Sequence, residues 1–113
     1  MAALSNLLRN VVNNRRRHPR KHRRYEVVLR NEHDKVIFRG KTANISQSGA
    51  RLVGLPTDLG IAGGERVLVE ILVPPRGASV AVRRIATVAR VVRTDETPDS
   101  FIVAIRFEQG LHL

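Results

Sequence analysis

Two short stretches carry side chains that could do chemistry together. Arg15-Arg16-Arg17-His18-Pro19-Arg20 concentrates guanidinium groups, and Asn44-Ile45-Ser46-Gln47-Ser48-Gly49, farther along the chain, is small, polar and turn-forming. Reduced to spacing, they read RxxxR followed by NxSxxG. A guanidinium is a planar fork of donors that matches two phosphate oxygens, and the same fork pairs with O6 and N7 of guanine. Its plane also stacks on purine faces, so several arginines can enclose one base without an aromatic cage. The Asn44 amide and Ser46 hydroxyl offer donors and acceptors to a guanine edge or a phosphate oxygen, while Gly49 permits positive φ or a close backbone approach. Together the stretches suit a phosphate-linked purine. Either alone says less, since an arginine run also describes a solvated basic tail, and Asn and Ser favour ordinary turns.

Other chemistries find little support. The chain has no cysteine, which removes disulfides, thiolate metal sites and a Cys nucleophile. His18, His22, His33 and His112 stand apart from plausible catalytic partners, and no His/Glu pair has metal-ligand spacing. Gly60-Ile61-Ala62-Gly63-Gly64 lacks the Lys-Ser/Thr that completes a phosphate loop. The expectation is a non-enzyme with no catalytic residue, no metal site and no cofactor.

Charge separates the chain into parts. It carries 20 Lys and Arg against 10 Asp and Glu, a net +10. Seven of the basic residues lie between Arg15 and Arg24 with no acid among them, so the remainder holds thirteen against ten and only +3. A block of this kind at a domain boundary suits a segment that folds around an anionic ligand on binding. No run of eighteen apolar residues offers a membrane span, and Met1 to Asn14 lacks the hydrophobic core and cleavage site of a signal peptide. The chain reads as a soluble, cytoplasmic protein.

The elements that must position these residues follow from periodicity. Leu4, Leu7, Leu8, Val11 and Val12 fall on one face of a short amphipathic helix over residues 1–14. Residues 15–24 form the basic arm. From Tyr25 to Leu113 the period is two: strands are predicted at Tyr25 to Arg30, Val36 to Asn44, Ala50 to Val53, Arg66 to Val73, Val80 to Arg93 and Phe101 to Phe107. The Val80 to Arg93 stretch is either one long strand or two joined by a bulge near Arg83-Arg84. With four aromatics in 113 residues, the core must be mainly Val, Ile, Leu and Ala. About six short strands separated by turn signals predict an all-β fold, a small antiparallel barrel in one domain.

Order and context make the two motifs resemble those of the PilZ domain family. The resemblance runs from about Arg15 to Glu108 and includes Gly64-Glu65-Arg66-Val67 opening a strand, Val88 to Arg93, and Val103 to Phe107. It implies a receptor for the bacterial second messenger cyclic di-GMP. Arg16 and Arg20 then supply RxxxR, with Arg15, Arg17 and Arg24 as alternates because the run satisfies the spacing in more than one register. Asn44, Ser46 and Gly49 supply NxSxxG. Many members carry a helix after the last strand; here the expected cover of the barrel opening is the N-terminal helix, a partner, or further sequence beyond Leu113.

The function implied is a conformational switch: ligand draws the arm onto the barrel, reorients the helix and regulates a downstream protein. The helix face also offers a surface for a homodimer. Two other readings stay open. A basic barrel could bind nucleic acid, although the chain outside the arm is nearly neutral and has few aromatics for base stacking. A PilZ-like protein adaptor could also work without a ligand.

Overall fold

Alternation of apolar and polar residues builds the whole described molecule. The computed structural model describes residues 24–75 and 82–111. The expected helix over 1–14 and the arm up to residue 23 lie outside them. The strands are β1 (Glu26–Arg30), β2 (Val36–Ile45), β3 (Gly49–Pro56), β4 (Arg66–Val73), β5 (Arg83–Glu96) and β6 (Phe101–Phe107). All neighbours are antiparallel, and the order β1-β2-β3-β6-β5-β4 closes on itself because β1 also pairs with β4. Closure leaves none of these strands as a free sheet edge.

The core is the inward half of each strand. Val27 and Leu29, the β4 set Val67, Val69, Ile71 and Val73, and Val103, Ile105 and Phe107 of β6 are all buried, joined by Phe38, Ile45, Leu52 and Val91. Burial of this β-branched set is the main driving force for closure. Thr42, a polar side chain deep in it, is satisfied: its Oγ1 accepts the Tyr25 backbone N–H at 2.9 Å.

Three features depart from the sequence expectation. β3 extends to Pro56, because β2 supplies partners as far as Phe38 opposite Pro56. β5 runs on to Glu96, where β6 pairs Phe101 with it. No bulge falls at Arg83-Arg84, where the β4–β5 register is unbroken from Arg83 to Arg90; the irregularity lies instead between Val91 and Arg93. One barrel end is closed by the chain itself. After β6, Leu111 folds back into the core and its N–H donates to the Gln47 carbonyl at 2.8 Å.

Candidate functional site: a basic groove beside the Ser46 turn

The NxSxxG turn joins β2 to β3. Its backbone is pinned by the Ser46 N–H donating to the Gly49 carbonyl at 2.8 Å. Ser46, 9% exposed, holds the interior of the turn. Its Oγ accepts from the Ser48 and Gly49 N–H groups, each at 3.3 Å, and lies 3.2 Å from the Ser48 hydroxyl. Gly49 is required by space: a Cβ there would sit 2.5 Å from the Ile105 carbonyl oxygen of β6. Positive φ is not the reason, since among the described glycines it occurs at Gly60 and Gly64.

The turn opens onto a recess of about 370 Å³ on the outer barrel wall, where Ser46, Ser48 and Gly49 meet Arg51 of β3, Arg93 of β5, and Ala104 and Arg106 of β6. Register explains this convergence. Asn44 stands opposite Arg51, Arg51 opposite Ala104, and Ala104 opposite Arg93, so four residues from four strands form one outward row. In the next row Gly49 faces Arg106, which faces Arg90.

The arginines of this wall differ in their engagement. Arg66 is committed to Glu108, Nε to Oε2 at 2.6 Å, and Arg90 donates to the Gly64 carbonyl at 2.9 Å. The Arg66–Glu108 hydrogen bond holds the Glu108 carboxyl below its ordinary range and raises Arg66. Among the described residues Arg93 has only a solvent-exposed contact with Asp95 at 3.5 Å. Arg51 and Arg106 make no ion pair or side-chain hydrogen bond among the described residues. The recess therefore faces guanidinium donors that the fold leaves largely uncommitted.

Of the residues singled out from the sequence, Ser46 and Gly49 line the recess and Asn44 stands opposite Arg51 at its side. Arg15, Arg16, Arg17 and Arg20 lie outside the described residues. Arg24 is exposed and lines a different recess of about 250 Å³ with Glu26, Leu72, Pro74 and Val82. Sequence reasoning missed Ser48, Arg51, Arg93 and Arg106. Strand alternation could have flagged Arg51 and Arg106 as outward neighbours of the turn; Arg93 could not be found that way. Among the described residues no group of three or more His, Asp or Glu could hold a metal ion, and no helix is long and apolar enough to cross a membrane.

Fold and groove together define a class: a small closed antiparallel barrel that presents a polar turn and an arginine-lined recess on its outer wall. The PilZ domain model matches residues 14–112, and the chain belongs to that family. Two solved structures share the fold. One is the Bacillus subtilis inhibitor of motility, MotI/DgrA, with TM-score 0.66 and 24% identity over 85% of this chain and 44% of that one. The other is the PilZ domain with c-di-GMP of YcgR from Escherichia coli, with TM-score 0.55 and 16% identity over 83% of this chain and 78% of that one. The chain thus spans less than half the length of the Bacillus protein. A comparison with curated protein sequences finds no match.

Proposed function

We propose that this PilZ domain is a cytoplasmic receptor for cyclic di-GMP that acts as an adaptor, changing conformation on binding to regulate a protein partner. The observation that carries the reading is the Ser46 turn at the rim of a recess lined by Arg51, Arg93 and Arg106. Family membership supports the choice of ligand, as does the fold shared with a PilZ domain described with c-di-GMP. In this reading residues 15–24 are the ligand-binding arm. Arg16 and Arg20, or their neighbours Arg15, Arg17 and Arg24 in a shifted register, close from above while Asn44, Ser46 and Gly49 hold from below. Closing the arm moves residues 1–14, whose apolar face then meets or leaves a partner or a second copy. The ligand is bound and released unchanged, so no catalytic group is involved.

Isothermal titration calorimetry of the full chain with cyclic di-GMP, GTP and a short single-stranded oligonucleotide tests this. Saturable binding of the dinucleotide alone is the expected result. Oligonucleotide binding without dinucleotide binding would replace the reading with a nucleic-acid barrel, and no binding to any of the three would leave a ligand-free adaptor.

A further inference from the structure

Two β-bulges lie at the two ends of the same outward row, and each re-aims one polar side chain. In β2, Thr42 and Asn44 share strand parity, and Thr42 is buried inward opposite Leu52. An unbroken strand would carry Asn44 inward as well. The bulge between them instead puts Asn44 opposite Arg51 on the outer face, and alternation resumes with Ile45 buried opposite Ala50. In β5, Val91 is buried opposite Ile105 and Arg93 shares its parity. The bulge between Val91 and Arg93 turns Arg93 outward to face Ala104, leaving Val92 53% exposed. Bulges recur beside functional sites because one extra residue redirects a side chain at the expense of local pairing.

The row so built is Asn44, Arg51, Ala104, Arg93, with a single small side chain between two guanidinium groups. Adjacent strands are about 4.8 Å apart, so Arg51 and Arg93 rise about 10 Å from one another across the flat floor at Ala104. Long side chains leaning inward across that span can take a planar ring between them, or fork onto its edge. Arg106, one row closer to the turn, reaches toward the Ser48 and Gly49 end of the recess.

We infer that Arg51 and Arg93 clamp a guanine base over Ala104, and that Arg106 meets a phosphate beside the Ser46 turn, making the barrel wall a specificity-determining half of the site. This rests on the cyclic di-GMP reading and extends it to residues outside both sequence motifs. Neither the arm nor the turn is required for the argument; the two bulges and the unfilled floor carry it.

Calorimetric titration of the full chain with cyclic di-GMP separates the possibilities through three variants. Arg93→Ala removes one jaw. Ala104→Leu fills the floor without changing charge. Arg83→Ala, at the far end of β5 and outside the recess, removes the same charge as a control. Losses of about tenfold or more in Arg93→Ala and Ala104→Leu, the scale of one charge-assisted contact, are expected with Arg83→Ala near wild type. Wild-type affinity in either Arg93→Ala or Ala104→Leu overturns the clamp while leaving the receptor reading intact. Equal losses in Arg93→Ala and Arg83→Ala would also overturn it, reducing the wall to general electrostatics. Failure of the wild-type chain to bind removes the receptor reading itself. Arg93 and Ala104 face outward on paired strands and Arg83 is exposed at the start of β5, and unchanged circular dichroism confirms that each variant is folded.

Discussion

Ser46 serves the turn before any ligand arrives. Its oxygen takes two backbone N–H groups at 3.3 Å, while the shorter Ser46 N–H to Gly49 carbonyl bond at 2.8 Å closes the loop independently. Ser46→Ala should therefore keep the fold, lower stability by about 1 kcal/mol, and weaken cyclic di-GMP binding, as read by urea denaturation and titration of the same preparation. Unchanged stability and unchanged affinity would together show that the hydroxyl does neither job. At this scale much was legible. As a turn between strands, Asn44, Ser46 and Gly49 announced themselves by type and spacing, because Asn, Ser and Gly favour turns. The reason for Gly49 was only half legible, since the approach of the Ile105 carbonyl is a tertiary fact that no local pattern encodes.

Between strands, the period of two found β4 and β6 at their observed bounds, because one wet face and one dry face leave a strong alternating imprint. The bulges escaped this reasoning. Their trace is a polar residue at inward parity, Asn44 after Thr42 and Arg93 after Val91, which looks like a strand end when the partner is unknown. The barrel itself was expected from about six alternating strands, but the side-chain contacts that help to close it were not, and part of these is electrostatic. Glu70 of β4 accepts a hydrogen bond from Arg30 Nε of β1 and lies 3.9 Å from Arg84 of β5, bridging three strands. The Arg30 hydrogen bond, opposed by partial desolvation and aided by the charges of Arg30 and Arg84, holds the Glu70 carboxyl below its ordinary value. A lowered folded-state pKa gives stability that is complete above the unfolded value, about 4.3, and is lost as pH falls through the folded one. The urea midpoint of the wild type should exceed that of Glu70→Gln at pH 7, with the gap closing in acid. A gap that persists or widens at low pH would mean that the pair does not help to close the barrel.

Over the whole molecule, the charge sum concealed a pattern. Outside the arm the chain carries a net of only +3, yet Arg51, Arg66, Arg90, Arg93 and Arg106 occupy neighbouring positions on β3, β4, β5 and β6. Glu108 and Asp95 offset Arg66 and Arg93 locally, while no acidic residue pairs with Arg51, Arg90 or Arg106 among the described residues. This makes one basic side of the barrel, and any polyanion will feel it. The mode of binding then decides function. A polyanion held by charge alone gains from releasing condensed counterions, so its affinity falls by orders of magnitude between about 50 and 200 mM salt. A cyclic dinucleotide has two phosphates and no comparable counterion sheath, and most of its proposed contacts are stacking and forked hydrogen bonds at a fixed site. Titrations across that salt range should therefore show any weak, non-saturating oligonucleotide association collapsing while cyclic di-GMP affinity falls by less than about tenfold. Parallel collapse of both would identify the basic side as an unselective polyanion surface, with the Ser46 turn as ordinary barrel structure.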